Sequence, residues 1–418
     1  MLKTKRSEIG WFILFSGMFL PYCITTTFSY FWPRIYQYAR YLRILICFGT
    51  VLLSIFLLKK IKRQLIFILI VFVYLGILLY STKVHNVDLS FYINYAVTII
   101  FMVFFFELAV HRFLTEILNV VWFWCFILTL INLFTIIRYP NGFYIRYDVL
   151  SSGAGMPYWF LGNRNLYVDF LLPMMISAIL LEFFKGKGQI KFYISILISI
   201  LTVVFTGSAT TILIICIIGF YWSYLKKRNC PKWFDGLYIL IAYSIISIMI
   251  IGMRQANIFS FIIVNVLNKD ITLSSRTSVW QDVLERIPGS PWIGYGYRSG
   301  TNFLPDREVM HAHNLFLHIL YSGGILAFIA LCILIVMCAY VLRKYKKYRL
   351  SSIMTTIFLT YLWMEFSEPR IYFPFLFAAL TLIWNMPTLE KQIVNKKGKI
   401  IKIRWKKNGK QFKNRKIN

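Results

Sequence analysis

Acidic side chains are scarce in this chain. Only 16 Asp and Glu residues stand against 46 Lys and Arg in 418 residues, and charges of both signs make up 15% of the sequence. A soluble domain is nearer a quarter charged. With 59% hydrophobic residues and a mean hydropathy of +0.65, the composition excludes a water-soluble globule and places the chain in a bilayer. Cysteine spacing excludes more. Cys23, Cys47, Cys125, Cys216, Cys230, Cys332 and Cys338 show no C-x-x-C pair and lie mostly in apolar runs. They read as small core residues and not as a zinc site or a disulfide framework. No P-loop, no Ser-His-Asp order and no obvious internal repeat is present. The net charge of +30 raises the question of nucleic acid. Its cations, however, stand in short bursts between apolar runs, which is the positive-inside pattern of a membrane protein. Membrane lipid is therefore an expected partner and nucleic acid is not.

Twelve apolar runs organise the rest: Ile9 to Tyr30, Tyr41 to Leu58, Leu65 to Tyr80, Leu89 to Phe106, Leu114 to Ile137, Leu166 to Phe184, Phe192 to Phe205, Ala209 to Leu225, Leu237 to Met253, Leu315 to Leu342, Ile353 to Met364 and Ile371 to Trp384. A helix crosses the hydrocarbon core in about 20 residues, so the expected fold class is all-α, a polytopic membrane protein of about twelve spans. Pro21 and the missing small-residue cleavage site make the first run a retained span and not a signal peptide. With Met1 inside, the clusters around Lys59, Lys185, Lys226 and Arg343 and the Lys-rich tail all return to the cytoplasm. Arg34, Arg40 and Arg43 are the main misfits, falling outside. Both termini are then cytoplasmic. The expected domains are nine spans over 1–253, an extracytoplasmic loop over 254–314, three spans over 315–386 and a basic tail over 387–418.

The late outer loop carries the chemistry-bearing residues. Ser274 or Ser275 can cap a helix in which Val279, Trp280, Val283, Leu284 and Ile287 recur at helical spacing. Pro288-Gly289 stops it, and Gly294-Tyr295-Gly296 forms a turn. His311-Ala312-His313-Asn314 then opens the tenth run, setting these side chains at a membrane mouth. The outer side is rich in arginine rather than lysine: Arg138, Arg146, Arg164, Arg254, Arg276, Arg286, Arg298, Arg307 and Arg370. Planar guanidinium forks suit bidentate contact with phosphate, so the cluster suggests a phosphorylated lipid. The plainer reading pairs them with Asp270, Asp282, Glu285, Asp306 and Glu308 and accounts for about half. Gly294-x-Gly296 has serine at 299 and no strand-turn-helix context, so it is not a dinucleotide fingerprint. His311-x-His313 could form a metal pair with Asp306 or Glu308, but two ring nitrogens do not define a site, and no metal or cofactor is assigned. Glu107 and His111, near a cytoplasmic helix end, read as structural. A histidine placed as His313 is can be neutral near pH 7 and accept a proton.

Ser275-Arg276, Trp280, Pro291, Gly294, Gly296, Ala312-His313-Asn314 and Gly324, in this order, resemble the signature of the O-antigen ligase and polymerase superfamily. These are bacterial polytopic enzymes of the plasma membrane that handle polyprenyl-diphosphate-linked glycans. The resemblance implies a GT-C-like fold, metal-independent glycosyl transfer, and essential roles for Arg276 and His313. One departure stands out. Family members often carry a Ser-Arg pair after the seventh span, where this chain reads Thr206-Gly207-Ser208-Ala209-Thr210. Arg164, in an outward turn before the sixth run, is a candidate substitute.

The expected activity is that of a glycan polymerase joining undecaprenyl-diphosphate-linked repeat units on the outer membrane face. His313 would act as base, Arg276 with Arg164 or Arg298 would hold the diphosphate, and Trp280, Gly294, Gly296 and Asn314 would contact substrate. Substitution of His311, which precedes the motif, would be mild. Tyr158, Trp159, Phe160, Trp292, Tyr295 and Tyr297 could stack on sugars. A ligase moving finished glycan onto lipid A core or protein would use the same parts, and a lipid-linked oligosaccharide flippase is a further alternative. Other polysaccharide-assembly proteins are expected partners.

Overall fold

The computed structural model describes residues 2–57, 62–146, 155–226, 231–252, 276–298, 303–305 and 309–393. Ser275, Arg254, Asp270, Asp306, Arg307, Glu308 and the tail from 394 lie outside the described residues. Each of the twelve apolar runs overlaps a helix among the described residues. In chain order these are α1 (Leu2–Phe19), α2 (Thr26–Phe31), α3 (Pro33–Leu57), α4 (Lys62–Val84), α5 (Leu89–Leu108), α6 (Leu114–Arg138), α7 (Val168–Lys185), α8 (Gln189–Thr206), α9 (Ala209–Phe220), α10 (Gly236–Ser247), α11 (Arg276–Arg286), α12 (Leu315–Lys344), α13 (Arg349–Ser367) and α14 (Phe375–Trp384). Among the described residues the sheet content is one antiparallel pair, β1 (Tyr144–Arg146) with β2 (Met156–Tyr158), in register Tyr144 to Tyr158. The protein is an all-α membrane protein. Among the described residues five helical segments are long and apolar enough to cross a bilayer: Pro33–Leu57, Gln64–Val84, Leu89–Arg138, Gln189–Thr206 and Leu315–Lys344. Ala209–Leu225, Gly236–Gly252 and Phe375–Trp384 are shorter apolar helices.

The first run differs from its expected form. It is not one span but two helices separated by a 3-10 turn, Leu20–Cys23, containing Pro21. Proline supplies no N–H and its ring crowds the preceding turn, so the helix stops there. Arg43 explains how the break is tolerated. Its Nε donates to the Pro21 carbonyl (2.9 Å), one Nη to Ile24 O (3.2 Å), and the other to Asn94 Oδ1 (3.1 Å). α3 also begins eight residues earlier than its apolar run, at Pro33, a residue pre-set for a first helical turn.

Helix α6 packs on α7, α12 on α4, α3 on α5, and α7 on α8. Large apolar side chains remain outward, among them Phe48, Phe56, Leu69 and Val204, as lipid-facing helices require because hydrocarbon replaces water there. Several buried polar side chains are paired. At one end of the bundle Glu107, fully buried, takes Asn385 Nδ2 (2.7 Å) and faces His111 Nε2 (3.3 Å), a structural knot as the sequence indicated.

One break positions the functional end. α12 kinks at Gly324, whose φ of 65° and ψ of −167° are non-helical. The backbone groups freed there are taken by the turn after α11. Tyr295 N donates to Tyr321 O (2.8 Å) and Gly296 N to Ser322 O (2.9 Å), while Pro291 O accepts from Ile325 N (2.8 Å) and Trp292 O from Leu326 N (3.2 Å). Non-helical backbone at this depth survives only when buried in protein with its polar groups satisfied. Gly294 (φ +67°) makes the approach possible, since a Cβ there would lie 2.4 Å from Tyr321 O.

Gly294→Ala should therefore destabilise the detergent-purified protein by at least about 3 kcal/mol, through backbone strain and overpacking together. Gly186→Ala, also at positive φ (+65°) but facing open space, should cost only the left-handed penalty of about 1–2 kcal/mol. Thermal unfolding compares the two. Equal falls in melting temperature would contradict the docking of this turn on the α12 break.

Candidate active site

Three chain segments meet at one carboxylate. α11 begins with Arg276, and its buried face of Val279, Trp280 and Val283 sets Trp280 against Phe366 of α13, ring centroids 6.0 Å apart. α12 begins after Asn314, whose Oδ1 accepts from Leu317 N (3.0 Å) as an N-cap. The same amide donates from Nδ2 to Phe366 O (3.2 Å). α13 ends at Ser367, and Pro369 follows, so the helix cannot continue. Glu368, extended at φ −165°, turns back toward the starts of α11 and α12.

The Glu368 carboxylate is 9% exposed and receives three cationic or N–H-bearing groups. Arg276 Nη2 is 3.0 Å from Oε2, His311 Nε2 is 2.9 Å from Oε1, and His313 Nδ1 is 3.2 Å from Oε1 and 3.3 Å from Oε2. His313 holds a left-handed backbone, φ 50°. A non-glycine residue there is sparsely populated and marks a constrained site. Its backbone N–H donates to His311 Nδ1 (3.3 Å). Because that nitrogen accepts, the His311 proton belongs on Nε2, which donates to Glu368. In His313 the Nδ1 proton faces Glu368, leaving Nε2 as an acceptor. Burial is the largest influence on His313 and lowers its pKa below the ordinary imidazole value, against the opposite pull of Glu368. Burial alone would raise the Glu368 carboxyl, but the charges and hydrogen bonds of His313 and His311 outweigh it and hold it well below the usual range. The arrangement is an ionised carboxylate orienting a neutral imidazole, with an arginine beside it. Its chemistry is proton acceptance next to anion binding.

The sequence-selected residues take different places. Arg276 and His313 are brought together on Glu368. His311, whose substitution was expected to be mild, is in the same cluster. Asn314 is buried with both ends of its amide engaged, and Gly294 and Gly296 are occupied with the α12 break. Trp280 is buried with its Nε1 lacking a hydrogen-bond partner. Arg164 is exposed, in the turn whose Asn165 carbonyl accepts from Arg370 Nη1 (2.8 Å). Arg298 is partly buried, with its Nε unpartnered. Among the described residues neither Arg164 nor Arg298 forms an ion pair. Arg276 and Arg370 pair with Glu368 and Asp169, carboxylates that the loop-pairing expectation did not include. Glu368 was missed. Its signal is a charged Glu-Pro-Arg triplet between two apolar runs in a chain with few acids.

His311, His313 and Glu368 each offer one ligand atom, all within 4.8 Å of one another, so the trio has the donors for a divalent cation. The Arg276 guanidinium already holds one oxygen of the same carboxylate, and its positive charge opposes a second cation there.

Residues 194–332 match the family model described as O-antigen ligase. The matched segment contains Arg276, His311, His313, Asn314 and Gly324 and ends before Glu368. No curated protein and no solved structure matches.

Four outcomes test this geometry on purified enzyme. Glu368→Gln should cut kcat/KM about 10²-fold or more, since orientation and imidazolium stabilisation are both weakened. The Glu368 charge raises the His313 pKa, so its removal should move the acid limb of the pH profile to lower pH. His311→Ala should show a smaller loss, about tenfold. An acid limb unmoved in Glu368→Gln would contradict the pairing. Activity should also survive EDTA. Loss on chelation, restored by a divalent ion, would make the trio a ligand set.

Proposed function

We propose that this chain, whose residues 194–332 match the family model described as O-antigen ligase, belongs to the O-antigen ligase and polymerase superfamily and is a glycan polymerase of the bacterial plasma membrane. It would join lipid-linked repeat units on the outer face, the donor being a glycan on undecaprenyl diphosphate. The observation that supports this reading is the Glu368 array, which presents a neutral imidazole and a guanidinium side by side between helix ends. His313 Nε2 takes the proton of an acceptor sugar hydroxyl as that oxygen attacks the anomeric carbon. The bond from that carbon to the diphosphate breaks, its electron pair leaving with the diphosphate. A single displacement of this kind inverts the anomeric centre. Arg276, with part of its guanidinium still accessible (20% side-chain exposure), meets the developing negative charge. Arg164 and Arg298 extend this positive field, Arg164 in place of the absent Ser-Arg arginine. Glu368 balances the imidazolium until its proton passes to water.

In this reading the twelve runs are spans of a GT-C-like fold. Residues 254–314 lie outside, between spans nine and ten, and both termini are cytoplasmic. Other assembly proteins would deliver the lipid-linked units. The description of the matched family as a ligase favours one second reading, transfer of finished glycan to lipid A core or protein by the same residues.

With lipid-linked donor and purified enzyme, His313→Ala should reduce turnover by roughly 10²- to 10⁴-fold with donor affinity little changed. Arg276→Lys keeps charge but loses the fork and should be nearly as damaging as Arg276→Ala, in both affinity and rate. An active His313→Ala enzyme, or an Arg276→Lys enzyme of wild-type turnover, would remove that residue from the mechanism. Chain length of the product, many units against one addition, separates polymerase from ligase.

A further inference from the structure

Asp169 and Arg370 form a second buried ion pair, which the proposed chemistry does not use. Asp169 is 4% and Arg370 2% exposed, and Arg370 Nε lies 3.3 Å from Asp169 Oδ1. Charges buried in a membrane protein are costly and rare, and those present mark function by default. The cation of this pair stands two residues from Glu368.

The segment they share has little regular structure to hold it. Residues 368–374 are irregular, between the end of α13 and the start of α14, so no helical ladder sets the direction of Glu368. Pro369 confines the residue before it to extended backbone, and Glu368 has φ −165° and ψ 126°. On the α13 side, Glu368 N donates to Met364 O (3.1 Å) and Arg370 N to Glu365 Oε2 (3.0 Å). On the other side the Arg370 guanidinium reaches the start of α7. Its Nη1 donates to Asn165 O (2.8 Å), in the turn before that helix, and its charge meets Asp169 in the first helical turn. The Asp169 contact is one of charge and not a directed hydrogen bond, since neither Oδ1 nor Nε has a bonding partner. Phe373 adds an apolar tie to the same helix, stacked on Phe170 with ring centroids 5.2 Å apart.

Without the anchor on α7, Pro369 would still stretch Glu368, but the polar contacts fixing where the stretched chain points would come from α13 alone. The contact of Glu368 with His313 Nδ1, 3.2 Å, tolerates little drift. Misplacement by about 1 Å can cost roughly 10²-fold in rate.

We infer that Asp169 and Arg370 are positioning residues, clamping the Glu368 segment to α7 and so holding the carboxylate against His313 and Arg276. The inference rests on the proposed function and adds α7 to the helices on which the base depends. In this role neither residue touches substrate, and the clamp acts through Glu368.

Removing one member of a buried pair leaves an uncompensated charge, whereas removing both is often neutral for stability. The full chain carrying Asp169→Asn together with Arg370→Met is therefore compared with wild type in detergent, with lipid-linked glycan as substrate. It should melt near the wild-type temperature, yet kcat should fall about tenfold or more with KM unchanged. In a Glu368→Gln background the same replacement should cost almost nothing further. Arg370→Lys keeps the charge pair but loses the planar fork that spans Asn165 O and Asp169. It should lose severalfold in kcat, and it carries the same cycle if the double replacement does not fold. A folded variant with wild-type kcat would overturn the clamp. So would a loss carried by KM, or one fully additive with Glu368→Gln, since either shows these residues acting elsewhere. Wild-type kcat in Glu368→Gln itself would instead overturn the functional reading, and the clamp with it.

Discussion

The buried Glu368 carboxylate is the constraint on which the functional end of this molecule depends. One ionised group at 9% exposure is shared by side chains from the starts of α11 and α12, while it closes α13 itself. A carboxylate buried this far is tolerated only when paired and hydrogen-bonded. Removing a partner therefore does more than delete one contact, because it leaves a buried charge uncompensated. The helices around it are arranged accordingly. Asn314 caps α12 and holds the end of α13 with the same amide, Trp280 packs against Phe366, and the Gly294–Gly296 turn fills the break at Gly324. These contacts keep three helix ends in fixed relation.

That constraint also produces the chemistry. Glu368 fixes which nitrogen of His313 carries the proton, and the left-handed backbone at His313 aims the ring. Arg276, on the same carboxylate, is brought beside the imidazole. Arginine is suited to this double duty, since its fork can hold a carboxylate on one side and offer N–H groups to phosphate on the other. Arg370 ties the Glu368 segment to the turn bearing Arg164.

The sequence made the helices legible because each apolar run needs a hydrogen-bonded backbone in lipid. Arg276 and His313 stood out through the order of residues from Ser275 to Gly324 that resembles the superfamily signature, and His313 also through its place just before an apolar run. Glu368 did not, since 92 and 55 residues separate it from Arg276 and His313 and nothing local announces that approach. Gly294 and Gly296 looked like a substrate turn because a tight turn reads the same whether it faces a ligand or a broken helix. Their positive φ values are met by the kink in α12. Arg43, a misfit by charge topology, became intelligible only when Pro21 was seen to break the first run and leave carbonyls to satisfy. His311 looked spare because its link to Glu368 is likewise non-local.

A double-mutant cycle on His313 and Glu368, read as polymerisation rate with lipid-linked substrate, tests the central claim most directly. If Glu368 acts through the imidazole, Glu368→Gln should cost almost nothing further once His313 is alanine. Full additivity of the two losses, in variants that unfold at the same temperature, would show that Glu368 acts on its own account and that the dyad does not exist.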